Sequence, residues 1–188
     1  MPLPAAAPRE QIHHRKIDVR GYRRTDGLFD VEATIEDTKG YRFKLDSGER
    51  TLQPGDLLHS MTIRLTFNDE YVVQEAMAVT NASPHAICPG ASAAVSHLKG
   101  LVMAAGWNRA VRERLGGAKG CTHELEVLGQ MATVAFQTLA PLLRDGAPPD
   151  DPDVRTPKID SCYAYASNRE LVLKRWPKYY DGPPAAAS

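Results

Sequence analysis

The chain has 188 residues, 43% of them hydrophobic, so it is long enough to bury a core. Its 23 basic and 23 acidic residues balance, and this excludes an overall field that would recruit nucleic acid or an anionic membrane surface. No apolar run approaches the roughly 18 residues of a membrane-spanning helix, and the three widely spaced cysteines do not suggest a disulfide framework. We therefore expect a cytoplasmic protein with a single domain over residues 12–180. The ends, residues 1–11 and 181–188, are rich in proline and alanine, and we expect them to be disordered.

The first half of the chain alternates apolar and polar residues, which is typical of strands with one buried face. Residues 12–24 and 28–39 predict a hairpin, with Asp26-Gly27 at its turn. Further strands are predicted over residues 41–45, 61–67 and 71–80, and Asn68-Asp69 suits a tight turn in which both residues have positive φ. These patterns predict an antiparallel, meander-like sheet of about five strands.

The second half changes to helical spacing. Apolar residues three and four apart predict a long helix over residues 91–105 and a longer, central helix after residue 122, with a short basic helix over residues 107–115 between them. The central helix carries the stripe Leu125, Leu128, Ala132, Ala135, Leu139 and Leu142, widened by Val127, Met131 and Val134. The predicted fold class is therefore α+β, with the sheet packed against two long helices and one short helix.

The strongest candidate for a chemical site is a set of sulfur and nitrogen donors. Cys121 and His123 follow the glycine-rich residues 116–120 at the start of the central helix, Cys88 lies between the sheet and the helices, and His59 begins the clearest strand. Thiolates and imidazoles suit one zinc or iron ion, so we predict Cys88, Cys121, His123 and His59 as metal ligands. The alternative is that Cys88 is a small core residue and Cys121 binds nothing.

Without a metal, Cys121 is a candidate nucleophile, because a helix N-terminus favours a thiolate and His123 or His59 could act as the base. Glu124 completes the predicted catalytic set of Cys121, His123, His59 and Glu124. Its alternative role is that of a carboxylate interacting favourably with the helix dipole.

A second candidate group lies on the predicted hairpin. Arginines and carboxylates there could hold a polar substrate, and the predicted substrate-binding residues are Arg15, Tyr22, Arg24, Asp30 and Glu32. Cross-strand charge pairing on a solvated face is the alternative that we favour. His13-His14, just before the first strand, could be a ligand pair, although exposed histidines near a terminus are common.

Several stretches are distinctive. They are Gly21-Tyr22-Arg23-Arg24-Thr25-Asp26-Gly27, then Asp30-Val31-Glu32-Ala33 continuing to Asp37-Thr38-Lys39, and Gly120-Cys121-Thr122-His123-Glu124-Leu125-Glu126. In these motifs the chain resembles an uncharacterised bacterial family that is catalogued only as a domain of unknown function. The family name brings no reaction with it.

A second resemblance is to iron–sulfur cluster assembly scaffolds. In those proteins a small sheet leads through a cysteine at a helix start to a later cysteine–histidine pair at the head of a long helix. Cys88 and the pair Cys121 and His123 match this order, whereas the earliest scaffold cysteine has no counterpart here. The resemblance implies that Cys88 and Cys121 lie close together.

From these features we expect a small bacterial enzyme that uses a metal or a thiol. Lyase or hydrolase chemistry on a small organic substrate, such as an aromatic catabolite, fits better than redox chemistry, because no dinucleotide or flavin fingerprint is present and no nucleotide cofactor is expected. The alternatives are a non-catalytic metal or iron–sulfur carrier and a small-molecule binding module. We expect no nucleic-acid or membrane partner, and the sequence is compatible with an oligomer.

Overall fold

The structure is a computed structural model that describes residues 2–46, 48, 50–145 and 150–183. Its strands are β1 (His13–Arg23), β2 (Phe29–Lys39), β3 (Phe43–Lys44), β4 (Thr51–Leu52), β5 (Leu57–Phe67) and β6 (Val73–Ala82). Four of them form an antiparallel sheet in the order β1-β2-β5-β6, and β3 pairs with β4 in a separate two-stranded sheet. The α+β class is confirmed, and the third predicted strand belongs to the small sheet instead of the main one.

One face of the main sheet is apolar, as the alternation predicts. In β2 the inward side chains of Val31, Ala33 and Ile35 are 0–1% exposed, and in β5 the same holds for Ile63 and Leu65. The other face of the sheet is mainly polar and also carries the exposed Met77 and Val79 of β6, since successive side chains of a strand point to opposite sides. The main core is therefore on the inward face, where the helices contribute the rest of its residues.

A β-bulge interrupts the pairing of β2 with β5. Asp37 is opposite His59, whereas its neighbour Thr38 is opposite Leu57, so Leu58 is the extra residue. Leu58 is buried and packs with Leu45 and Leu52 in a small cluster at the β3–β4 sheet. The bulge thus ends the regular pairing next to Asp37 and anchors the small sheet.

The helices are α1 (Trp107–Leu115), α2 (Thr122–Arg144) and α3 (Glu170–Arg175). The short α1 and the long α2 are confirmed, and Leu128, Met131 and Ala135 of the predicted stripe are completely buried. Leu142 is 42% exposed, so the stripe leaves the core before the helix ends. The indole N–H of Trp107 donates to the carbonyl of Leu128 (2.9 Å) and ties α1 to α2.

The long helix predicted over residues 91–105 is wrong. The chain instead forms a 3₁₀ helix over Cys88–Leu98, whose buried residues Ser92, Val95 and Leu98 are three apart, the period of that helix. After it, Gly100 has φ +83° and its N–H donates to the carbonyl of Val73. The segment therefore runs beside the start of β6, and the apolar spacing beyond Leu98 reflects this pairing.

The turn predicted at Asn68-Asp69 is also wrong in its backbone. The positive φ falls on Tyr71 (62°) and not on the predicted pair. The side-chain oxygen of Asn68 accepts hydrogen bonds from the N–H groups of Glu70 (3.1 Å) and Val72 (2.9 Å). A longer loop organised by this side chain replaces the two-residue turn.

The chain divides into two compact units, Met1–Leu143 and Arg144–Ser188. In the second unit, α3 contributes Val172 to a cluster with Ile159 and Trp176. The single domain predicted over residues 12–180 stays a prediction. Where they are described, the predicted disordered ends form no helix or strand, and residues 1 and 184–188 lie outside the described residues.

Candidate metal centre

The site begins with one row of side chains across three neighbouring strands. Arg15 of β1 is opposite Asp37 of β2, and Asp37 is opposite His59 of β5. The row lies on the inward face, one step beyond Ile17, Ile35 and Met61 in their strands. The apolar core therefore ends in a charged row at this end of the sheet.

Asp37 is the centre of the row and is 1% exposed. Arg15 binds it with a planar fork, from Nε to Oδ1 and from Nη2 to Oδ2, both at 2.8 Å. His59 Nδ1 lies 3.1 Å from Oδ2, and His13 Nε2 lies 3.3 Å from Oδ1. A buried carboxylate is tolerated only with such partners, because burial without them would carry a large desolvation penalty.

The first turns of α2 complete the cluster. His123 Nε2 lies 3.8 Å from Asp37 Oδ2, and the rings of His123 and His59 have centroids 3.9 Å apart. Glu126 accepts a hydrogen bond at 2.5 Å from Nη1 of Arg15, so this guanidinium joins a buried carboxylate to a half-exposed one.

The surroundings set the protonation of these groups. Burial lowers the pKa of His59, and the adjacent ring of His123 lowers it further, against the opposing effect of Asp37. Burial also lowers the pKa of His123, and the charge of Arg15 acts in the same direction. Burial alone would raise the pKa of Asp37, but the hydrogen bonds and charge of Arg15 outweigh it and hold that pKa below its ordinary value. Near neutral pH the two imidazoles are therefore neutral and the carboxylate is charged, which are the forms that bind metals.

Three side chains of the cluster are candidate ligands for a metal ion. Ligand atoms of Asp37, His59 and His123 all lie within 4.8 Å of one another, the one such group found among the described residues. Ligand atoms of a tetrahedral zinc site are about 3.3 Å apart, given bonds of 2.0–2.1 Å. The separations of 3.1 and 3.8 Å from Asp37 Oδ2 to the two imidazole nitrogens bracket that value. Two imidazoles and one carboxylate suit zinc or iron(II) and leave coordination positions open.

The structure thus brings together His59 and His123 of the four predicted ligands and adds Asp37. Cys121 is next to the group, because its Sγ lies 3.8 Å from Nδ1 of His123, whereas the other ring nitrogen, Nε2, is the one near Asp37. Cys88 is half-buried at the start of the 3₁₀ helix and outside the group, and Cys162 is exposed. That Cys88 and Cys121 lie close together stays a prediction.

Glu124, predicted as a catalytic residue, is 1% exposed. Its Oε1 accepts a hydrogen bond at 2.6 Å from the hydroxyl of Ser92, which lies 2.8 Å from the hydroxyl of Thr80. Burial raises the pKa of Glu124, and the bond from Ser92 opposes this. These contacts join α2 to the 3₁₀ helix and to β6.

The predicted substrate-binding residues fall on two faces of the sheet. Arg15 is on the inward face, in the Asp37 cluster, whereas the outward face carries the other four, Tyr22, Arg24, Asp30 and Glu32. Arg24 forms ion pairs with Asp26 (2.6 Å) and Asp30 (3.4 Å). The contacts on that outward face are those of charge pairing within the sheet.

Sequence reasoning missed Asp37 as a site residue, although a signal was present. Val31, Ala33 and Ile35 are inward, so position 37 is the next inward position, and a carboxylate there is buried and needs partners. His13 was considered as one of a ligand pair with His14 or as an exposed histidine near the terminus, and it contacts Asp37. The place of His13 in the cluster follows from the register in which β1 pairs with β2. Near the end of a strand, the spacing of apolar residues does not predict this register.

The fold and the site together define a class: an α+β protein with an antiparallel sheet whose inward face ends in an aspartate–histidine–arginine cluster capped by a central helix. Residues 13–137 match the family described as "Protein of unknown function (DUF2889)", and the chain belongs to that family. This range lies inside the first compact unit and contains every residue of the cluster. No curated protein and no solved structure matches the chain. Among the described residues, no helix has the length and apolar character needed to cross a membrane.

Proposed function

We propose that the protein is a metal-dependent enzyme of the hydrolase or lyase type, with one zinc or iron(II) ion held by Asp37, His59 and His123. The observation that carries the proposal is the convergence of three ligand atoms within 4.8 Å, around a carboxylate that is 1% exposed. A bound ion of this kind acts as a Lewis acid and activates water at neutral pH. The donor set supports a single ion over an iron–sulfur cluster, because clusters are held mainly by thiolates.

Residues around the three ligands have supporting roles in this proposal. Cys121 faces the second ring nitrogen of His123, where a partner fixes the tautomer and the orientation of a ligand imidazole. His13 is 39% exposed beside Asp37, so a bound substrate could contact it. Glu124 is buried against Ser92 and supports the packing of α2.

Metal binding is tested by stripping the full chain with a chelator and titrating it with cobalt(II), whose absorption reports its ligands. We expect one ion per chain, and we expect His59→Ala and His123→Ala to weaken binding by more than about tenfold. His97→Ala is the matched control, since His97 is an exposed histidine outside the cluster. Less than one ion per chain, or equal losses in His97→Ala, would overturn the proposed centre.

Catalysis is tested separately with p-nitrophenyl acetate as a simple ester probe. Zinc-loaded protein should hydrolyse it faster than metal-free protein, and His59→Ala should lose the difference while His97→Ala keeps it. Stoichiometric zinc without any zinc-dependent rate would overturn the hydrolase form of the proposal and favour a lyase or a metal-binding module.

A thiol enzyme is the second candidate function, favoured by the distance of 3.8 Å between Cys121 Sγ and His123 Nδ1 at the start of α2. Alkylation with iodoacetamide distinguishes it. Cys162 is the more exposed thiol, so faster alkylation of Cys121 than of Cys162, lost in His123→Ala, would indicate an activated thiol. Slower alkylation of Cys121 would exclude this candidate.

A further inference from the structure

Arg15 occupies the carboxylate that the metal would need. Its Nη2 donates to Asp37 Oδ2, the same oxygen that lies 3.1 Å from His59 and 3.8 Å from His123. A divalent ion bound to that oxygen would lie close to the guanidinium, and two cations repel each other strongly in a partly buried site. Arg15 is always charged, because the hydrogen bonds that it donates to Asp37 raise its pKa above an already high value.

Arg15 has a second acceptor that remains when Asp37 turns to the metal. Glu126 is 51% exposed and already accepts a hydrogen bond from Nη1 of Arg15. The guanidinium can therefore stay beside the centre while Nη2 gives up Asp37 Oδ2. The donor that is released belongs to a planar fork that binds a carboxylate in a bidentate manner in this structure.

The charges of the loaded site then favour an anion. The metal contributes two positive charges and Arg15 one, whereas Asp37 and Glu126 contribute one negative charge each and the ligand imidazoles are neutral. One positive charge is left uncompensated at the edge of the site, next to the released donor. Partly buried positive charge of this kind selects anionic ligands.

The geometry points to a carboxylate-bearing substrate, which Arg15 holds in the place that Asp37 gives up when the metal binds. This inference rests on the proposed function and names its substrate class. Arg15 touches the substrate in this arrangement, and a metal held by Asp37, His59 and His123 would act on the rest of the substrate. A small organic acid fits both features.

The experiment uses zinc-loaded full-length protein and three probes followed by calorimetry: benzoate, inorganic phosphate and the neutral benzamide. We expect benzoate to bind more tightly than either of the others, and to bind metal-free protein at least about tenfold more weakly than the zinc-loaded form. Arg15→Gln should weaken benzoate binding by at least about tenfold, and Arg15→Lys should restore only part of it because a lysine lacks the fork. Arg20→Gln is the matched control, since Arg20 is an exposed arginine on the outward face of the same strand.

A second readout follows the metal itself. Because Arg15 competes with the metal for Asp37, Arg15→Gln should bind zinc more tightly in a competition with a chromophoric chelator. If wild type and Arg15→Gln both bind zinc but bind benzoate with equal affinity, the inference is overturned and the proposed function stands. Phosphate binding above benzoate would overturn the substrate class, and a wild-type chain that binds no zinc would overturn the proposed function together with this inference.

Discussion

Gly21 of β1 lies directly against Thr138 of α2, and its replacement by alanine tests how tightly the two elements pack. A Cβ at Gly21 would lie 1.7 Å from Oγ1 of Thr138, half of the 3.4 Å at which ordinary van der Waals contact begins. Rotation of the Thr138 side chain removes Oγ1 from the contact, but its Cβ would still be 2.8 Å away. The backbone of β1 or of α2 must therefore move.

We expect Gly21→Ala to lower the free energy of unfolding by about 2 kcal/mol, within the range of overpacked cores. The measurement is equilibrium unfolding in urea, followed by circular dichroism. Gly90→Ala is the matched control, because a Cβ at Gly90 meets nothing within 4 Å, and its effect should stay within about 0.5 kcal/mol.

The cause of the loss can be isolated with a double variant. Combining Gly21→Ala with Thr138→Gly removes all three Thr138 atoms that the new Cβ would meet. The two changes should then be non-additive by at least about 1 kcal/mol in the favourable direction. A Gly21→Ala chain as stable as Gly90→Ala, or an additive double variant, would refute the reasoning.

Two further predictions concern hydrogen bonds of carboxylates. Ser92→Ala should destabilise the fold by about 1–3 kcal/mol in urea unfolding, because it removes the hydrogen-bond donor to buried Glu124. Ser96 is an exposed serine of the same 3₁₀ helix, so Ser96→Ala should have little effect. Equal losses of stability in the two variants would contradict this prediction. In the second unit, the hydrogen bond from the N–H of Ser167 lowers the pKa of Asp160 below its ordinary value of 3.8. The stability that this bond contributes is therefore present above pH 3.8, and it is lost only as the pH falls through the lower pKa of Asp160 in the folded state. The Ser167 amide should therefore be protected from hydrogen exchange at pH 4 and lose this protection in more acidic buffer. In Asp160→Ala the amide should be unprotected at every pH. An amide whose protection is unchanged by acid and by Asp160→Ala would be evidence against the bond.

The elements with a strong period were predictable, and those that depend on tertiary pairing were not. Alternation over residues 28–39 predicts β2, and the apolar stripe predicts α2, because in both the burial of one face sets the pattern. The segment around Leu98 has apolar residues at helical spacing, but the hydrogen bond from Gly100 to Val73 sets its conformation. The local spacing of apolar residues cannot predict such a long-range contact.

The candidate site divides in the same way. His59 and His123 were predicted by residue type, since imidazoles near an element boundary are recognisable donors. Asp37 is defined by its register, and only the pairing of β2 with β5 places it opposite His59. Arg15 was assigned to a group with Tyr22 because the two are near in sequence, although an odd separation on one strand puts them on opposite faces.

The bulge at Leu58 makes the pairing of β2 with β5 independent of the length of the β3–β4 segment that connects these two strands. Leu58 is taken up by the cluster with Leu45 and Leu52, so the arm made of β3 and β4 is attached without altering the alignment of Asp37 with His59. We therefore expect changes in the length of the arm to leave Asp37 opposite His59, as long as Leu45 and Leu52 still cover Leu58. The arm, whose cluster includes the neighbour of His59, is accordingly a place to attach a probe that reports on the proposed metal.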